Sequence, residues 1–307
     1  LAILYPVGSG VHVITIRWAA SSRLDLTPGP ARVRVMKMLR TLALVAAFGP
    51  CALGAPALAH EFWIAPQAYS VPEGGDLVAD LRVGEKLEGS AFAYIPPNFT
   101  RFDLIMGDRS QPVPGRAGDR PALNMAAPGE GLAIVVHETR DYGLTYDDWA
   151  KFDRFTQHKG FPEVAARHVS RGFTQDRVRE RYTRYAKSLI AVGEGAGQDR
   201  EVGLLTEIVA LANPYVDDIR DGLAVRVLYE GKPRARAQVE LFDRAPDGRV
   251  SATTTLTDDE GRAVLKVTPG HSYLADAVVM LETDPEKTSG AMWKSLWASL
   301  TFAVPEE

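Results

Sequence analysis

Six short apolar runs follow one another between residues 223 and 304, at a spacing of roughly ten residues. They occupy residues 223–229, 238–242, 250–256, 263–267, 273–281 and 296–304. Turn-forming residues separate them, as in Glu230-Gly231-Lys232, Pro246-Asp247-Gly248 and Asp259-Glu260-Gly261. This pattern predicts a β-sandwich of immunoglobulin or prealbumin type over residues 216–307, because each short strand can bury only one face against another sheet.

The segment 60–145 also has the character of a β-domain. Leu77, Ala79 and Leu81 alternate with more polar positions, which is the period of a half-buried strand. The run from Gly131 to His137 follows the turn residues Pro128-Gly129 and predicts a further strand. We therefore expect an N-terminal antiparallel β-domain at 60–145.

Residues 146–215 change character, and we predict a helical segment and connector there. Asp147 and Asp148 precede Trp149 as acidic residues at a helix start, and Pro162 opens a second helix as a first-turn proline. A third helix is predicted from Asp176 because four apolar residues recur at helical spacing, namely Val178, Tyr182, Tyr185 and Leu189. The predicted fold class is thus mainly β, with immunoglobulin- or prealbumin-like β-sandwich domains and a helical insertion between them.

Four arginines lie around this third predicted helix: Arg177, Arg179, Arg181 and Arg184. One interpretation is a basic surface that docks an anionic partner. The other is the solvated side of an amphipathic helix, which such charge runs usually are.

Residues 36–59 have the order of a secretory signal peptide. Met36-Lys37-Met38 and Arg40 form a basic start, residues 41–47 are apolar, and Ala57-Leu58-Ala59 is a small-x-small cleavage site. Cleavage there makes His60 the first mature residue and predicts a periplasmic protein. Residues 1–35 are predicted to be an upstream mis-extension of the reading frame. No later apolar run is long enough for a transmembrane segment.

Charge and cysteine content narrow the chemistry of the mature chain. The whole chain has a formal net charge of −4. Residues 1–59 hold six of the 35 basic and one of the 39 acidic residues, so the rest carries a net charge of −9. Such an acidic protein is not expected to bind nucleic acid. The one cysteine, Cys51, lies before the cleavage site, so a metal site would use nitrogen and oxygen ligands.

An N-terminal His60 would offer two nitrogens to one metal ion, its α-amine and its ring Nδ1. Such ligands suit nickel, cobalt, copper and zinc. Further ligands would be other histidines, and we predict His60, His137 and His271 as the metal site. His137 ends a strand and His271 opens another, whereas His158 and His168 share no helical face. The alternative for each is an ordinary surface or core-edge histidine.

The chain resembles the secreted family named domain of unknown function 4198. His60-Glu61-Phe62-Trp63 looks like the family's mature start, and weaker matches follow in order. They include Leu81-Arg82-Val83-Gly84-Glu85, Arg184-Tyr185-Ala186-Lys187, Asn213-Pro214-Tyr215 and Trp297-Ala298-Ser299-Leu300-Thr301-Phe302. The resemblance implies a periplasmic, β-rich protein tied to nickel or cobalt transport. One position departs from the family pattern, since Val279 stands where a late strand of the family carries a histidine.

Three functions follow as hypotheses. The first is a periplasmic accessory that binds nickel, cobalt or copper for uptake or buffering, with a transporter component of the inner or outer membrane as partner. The second is a metal-free envelope interaction or carbohydrate-binding β-sandwich module. The third is a copper histidine-brace oxidase, which rests on fold analogy alone. No motif selects catalytic residues. Under the first hypothesis the protein is therefore not expected to be an enzyme.

Overall fold

Strands dominate the computed structural model, which describes residues 60–306. The predicted upstream extension, signal peptide and cleavage site lie outside the described residues. The N-terminal strands are β1 (Glu61–Pro66), β2 (Ser70–Val71), β3 (Asp76–Glu85), β4 (Glu88–Phe92), β5 (Phe99–Met106), β6 (Arg109–Pro112), β7 (Leu123–Ala126), β8 (Gly131–Thr139) and β9 (Tyr142–Tyr146). The later ones are β10 (Val178–Val192), β11 (Thr206–Ala210), β12 (Leu223–Tyr229), β13 (Lys232–Pro233), β14 (Gln238–Arg244), β15 (Val250–Leu256), β16 (Arg262–Leu265), β17 (Ser272–Glu282) and β18 (Trp293–Ala303).

The described strands form three sheets, a large central sheet and two smaller ones. The central sheet has the order β15-β14-β17-β18-β10-β8-β5-β6, and β2 and β9 pair with β10. A second sheet combines β1, β3, β4 and β7, and a third combines β11, β12, β13 and β16. The prediction of a mainly β chain with β-sandwich architecture is confirmed.

Each smaller sheet covers part of the central sheet through its own apolar core. In the N-terminal core, Ile64 and Leu77 of the second sheet lie with Val135 and Ile190 of the central sheet. In the C-terminal core, residues of β12 in the third sheet lie with residues of β14, β17 and β18. Sequence-distant strands therefore meet in the middle, because β10 and β18 pair in parallel from Glu180–Trp293 to Ser188–Thr301.

Two helices lie between β9 and β10. Helix α1 (Trp149–His158) begins at Asp148, whose carboxylate accepts a hydrogen bond of 2.9 Å from the Ala150 amide. Helix α2 (Val164–Ser170) follows shortly after Pro162. Helix residues pack with Trp293 and Trp297 of β18, and the rings of Phe155 and Trp297 stack at 5.6 Å. No helix within residues 60–306 has both the length and the apolar character needed to cross a membrane.

The prediction of a third helix from Asp176 is wrong, because residues 178–192 form β10. This strand pairs with β18 on one side and with β8 and β9 on the other. From Tyr185 to Val192 both of its faces are buried, so its apolar residues do not alternate as they do in a half-exposed strand. Helical spacing of four apolar residues was therefore coincidental.

Candidate functional site

An aromatic cavity of about 380 Å³ opens between the second sheet and the central sheet. Its wall includes one aromatic ring from each of six strands, namely Phe62, Phe92, Phe99, Tyr142, Tyr182 and Trp297. The polar side chains in the lining, apart from the tyrosines, are His60, Asn98, His137, Thr139, Glu180 and Arg184. An apolar cavity with a few convergent polar groups is the usual form of a binding site for a small molecule or ion.

His60 lies at the mouth of the cavity, directly before β1. Its Nδ1 atom is 3.3 Å from Oε1 of Glu85, yet it makes no hydrogen bond with any described residue. Its backbone carbonyl accepts a hydrogen bond of 2.9 Å from Nη2 of Arg184. The backbone at His60 is thus held against β10, while its Nδ1 atom lies at ion-pair distance from Glu85 without a hydrogen bond.

His137 lies deeper, in β8, with its side chain buried among aromatic rings. The ring centroids of Phe62, Phe99 and Phe102 are 5.1, 5.3 and 5.0 Å from its own. Burial lowers the pKa of His137 to about 3, because an imidazolium would lose its hydration there. The imidazole is therefore neutral at ordinary pH, and its Nδ1 atom has no hydrogen-bond partner among residues 60–306.

The third predicted ligand, His271, does not line this cavity. Its Nδ1 atom is 2.6 Å from Oδ1 of Asp243, and its carbonyl accepts a hydrogen bond from the Val304 amide. Because Val304 is bonded to His271, it marks the position of His271 relative to the cavity residue Trp297. Trp297 is seven residues earlier in the chain than Val304, which corresponds to about 23 Å of extended strand. The structure thus brings His60 and His137 to one cavity and leaves His271 outside it.

The two remaining histidines of residues 60–306 have other partners. His168 is fully buried, and its two ring nitrogens lie 2.8 Å from the Thr174 carbonyl and 3.0 Å from Nε1 of Trp293. Nε2 of His158 is 3.2 Å from Oε1 of Glu240. Val279, the departure from the family pattern, is buried in the C-terminal core and does not line the cavity. The residue at that position therefore does not alter the set of histidines in the cavity.

Arg184 places a half-buried positive charge in the cavity wall. Its guanidinium carbon lies 4.7 Å from the ring centroid of Tyr182 and 5.9 Å from that of Phe62. Within the described chain, no carboxylate lies within ion-pair distance of this guanidinium, and its Nε atom has no hydrogen-bond partner. Burial lowers the pKa of Arg184, although arginine stays charged in proteins.

Glu180 is the buried acid of the same strand. Its carboxyl group accepts a hydrogen bond of 2.8 Å from the Tyr146 hydroxyl and another from Ser295. Burial raises the pKa of Glu180 to about 7, because these hydrogen bonds and the Arg184 charge offset only part of the desolvation cost. Glu180 is therefore a group that gains or loses a proton near neutral pH.

A second polar group lies next to Trp297, and we call it the carboxylate cluster: Glu61, Glu240 and Asp276 around Lys159. The Lys159 ammonium donates hydrogen bonds of 2.8, 2.8 and 3.0 Å to these three acids. It also lies 5.0 Å from the Trp297 ring centroid. Burial raises the pKa of Asp276 to about 6, with Lys159 opposing the shift.

The three acids of this cluster are close enough to hold a metal ion, and they are the one such group among residues 60–306. The Lys159 ammonium occupies the centre of the group, so it supplies the positive charge that a cation would supply. The cluster fixes the end of α1 to β1, β14 and β17. We therefore interpret it as a structural ion cluster beside the cavity.

Sequence reasoning missed Arg184, Glu180 and Lys159 as members of these sites. The arginine was assigned to the surface of a helix that does not exist. The available signal was the density of strand-forming residues around it, in Tyr182-Thr183-Arg184-Tyr185. No local signal marks Lys159, because its partners are between 81 and 117 residues away in the chain.

Comparison with known proteins gives one family and two weak structural likenesses. The family model described as domain of unknown function 4198 matches residues 57–280. The D0-D1 domain of intimin is 13% identical, with 79% of this chain and 97% of that chain covered and a TM-score of 0.18. A tetra-tandem repeat in the extending region of a large adhesion protein is 12% identical, with 80% and 49% covered and a TM-score of 0.20. These TM-scores are too low to bear on function. No match is found among curated proteins.

Proposed function

The chain belongs to the family named domain of unknown function 4198, and from that premise we propose that it is a periplasmic accessory protein that binds a divalent transition metal. Nickel, cobalt and copper are the proposed metals, and His60 and His137 are the proposed ligands. The observation that carries the proposal is that the same cavity is lined by two histidines whose Nδ1 atoms make no hydrogen bond with residues 60–306.

The donor set fits such a metal. Imidazole nitrogens suit nickel, cobalt and copper, and a ligand must be deprotonated before it binds. Because burial lowers the pKa of His137 to about 3, its ring already has a free nitrogen at neutral pH. Cleavage after Ala59 would add the α-amine of His60, which can close a chelate with its own Nδ1. The periplasmic location is supported by the signal-peptide pattern at 36–59.

Calorimetric titration of the secreted protein with nickel, cobalt and copper tests this function, after mass spectrometry has identified its first residue. We expect His60 to be that residue and one metal ion to bind per chain. His137→Phe, which keeps the aromatic packing and removes the nitrogen, is expected to weaken binding at least tenfold. His271→Gln is the matched control, since His271 lies outside the cavity, and it is expected to leave the affinity unchanged.

An extra alanine before His60 is expected to weaken binding as well, because it removes the amine from the chelate. Equal loss in His137→Phe and His271→Gln would contradict the assignment of the cavity as the metal site. Absence of heat with all three metals would leave the metal-free module as the function. Tight copper binding with release of peroxide in the presence of a reductant would instead support the copper oxidase.

A further inference from the structure

We propose that the aromatic cavity also binds a small organic carboxylate with an apolar body, and that Arg184 holds its carboxylate group. This inference goes beyond metal binding and does not depend on it. It rests on three features of the cavity wall: a half-buried guanidinium without an ion-pair partner, an Nε donor without a hydrogen-bond partner, and the chemistry and size of the remaining surface.

The first feature is a guanidinium without a carboxylate at ion-pair distance. Burying a guanidinium costs free energy unless a partner restores what hydration supplied. Arg184 has one direct hydrogen bond, to the neutral carbonyl of His60, and two aromatic faces nearby. None of the ion pairs among residues 60–306 includes Arg184, whereas other arginines, such as Arg82, Arg101 and Arg181, each pair with an aspartate. A bound carboxylate would complete the pair.

The nearest acid on the same strand does not serve as that partner. Glu180 directs its two carboxyl oxygens to Tyr146 and Ser295, and neither oxygen is within ion-pair distance of Arg184. Burial raises the pKa of Glu180 to about 7, so this group carries only part of a negative charge at neutral pH. The acids of the carboxylate cluster are bonded to Lys159. These acids act on the Arg184 charge only from beyond ion-pair distance, so the position directly against the guanidinium is open to a ligand.

The second feature is donor geometry. Nε of Arg184 is buried without a partner, while Nη2 already donates to His60. A guanidinium forms two parallel N–H···O bonds with a carboxylate, an arrangement that a single ammonium cannot reproduce. The unpartnered Nε–H, together with an Nη–H, would fit the two oxygens of a carboxylate.

The third feature is the wall itself. Phe62, Phe92, Phe99 and Trp297 present apolar surface, and the volume of about 380 Å³ lies at the small end of the usual range of ligand pockets. One aromatic ring or a short aliphatic chain would fill such a space. A bare inorganic anion would leave these rings unoccupied, so the ligand class is a monocarboxylate with an apolar body.

Calorimetry on the metal-free secreted protein, kept in a chelator, tests this inference apart from the metal proposal. The probes are benzoate and hexanoate, with benzamide and inorganic phosphate as comparisons. We expect the two carboxylates to bind, and benzamide and phosphate to bind at least tenfold more weakly. Arg184→Gln is expected to reduce carboxylate affinity at least tenfold, and Arg184→Lys to recover only part of it.

Arg181→Gln is the matched control, because this arginine lies on the same strand and pairs with Asp141 outside the cavity. It is expected to bind carboxylates as the native protein does. Ala93→Trp provides a second variant in case Arg184→Gln unfolds, since it fills the cavity and leaves Arg184 in place; it is expected to abolish binding. The inference is overturned if benzamide binds as well as benzoate, if Ala93→Trp still binds, or if no carboxylate binds.

Discussion

Replacing Lys159 by methionine is expected to lower the free energy of unfolding by about 3–5 kcal/mol at neutral pH. The substitution keeps most of the side-chain volume and removes the ammonium that three buried acids share. Glu61, Glu240 and Asp276 would then face one another without a cation, and removal of one partner from a buried ion cluster leaves charges that neither water nor protein stabilises. Equilibrium denaturation in urea at pH 7 measures this loss.

The loss of stability in the Lys159→Met variant is expected to depend on pH. Without the ammonium, the pKa values of the three acids rise in the folded state, so the folded variant binds protons more strongly than the unfolded chain. Its stability relative to the native protein should therefore recover as the pH falls from 7 towards 5.

Lys287→Met is the control, because Lys287 makes an exposed ion pair of 3.4 Å with Asp284. Exposed pairs contribute at most about 1 kcal/mol. A Lys159→Met variant as stable as Lys287→Met would show that the carboxylate cluster does not hold α1 on the sheets.

We expect ionisation of Glu180 to lower the free energy of unfolding of the native protein by about 3 kcal/mol as the pH rises from 4.5 to 8. Replacing Glu180 by glutamine is expected to remove this pH-dependent loss. The pKa of Glu180 is raised to about 7 in the folded protein, against an ordinary value of 4.5. Protonated Glu180 therefore favours folding. Its contribution is complete below pH 4.5 and is lost as the pH rises through 7.

Urea denaturation of both proteins at pH 4.5, 6, 7 and 8 tests this expectation. Other shifted groups, such as Asp276 and His137, titrate in both proteins, so the difference between the two profiles isolates Glu180. Glu88→Gln removes an exposed carboxylate of β4 and is expected to follow the native profile. Parallel profiles for native protein and Glu180→Gln would mean that this carboxyl group is ionised without cost.

Local patterns predicted the C-terminal strands well. Two runs, 223–229 and 250–256, have the same bounds as β12 and β15. The turn after β12 explains where that strand ends. Glu230 and Gly231 have positive φ angles of 54° and 68° and join β12 to β13 in a tight hairpin. Turn chemistry and strand pattern act over a few residues, so they are readable without knowledge of the partners.

Strand β10 shows the limit of that reasoning. Its apolar residues satisfy a helical period and its second half is buried on both faces, so periodicity could not separate the two structures. Pairing with β18, more than 100 residues later, decides the outcome. The error displaced Arg184 and Glu180 from a cavity wall to a helix surface.

The order of residues alone determined the β-rich character of the chain, its hairpin turns, the start of α1 and the candidate role of His60, because these depend on neighbours in the chain. Tertiary structure decided which side chains meet. It brings His60 and His137 to one cavity with Arg184, keeps His271 away, and gathers three acids around Lys159. These contacts join residues far apart in sequence, and their energies depend on burial, which no short stretch of sequence specifies.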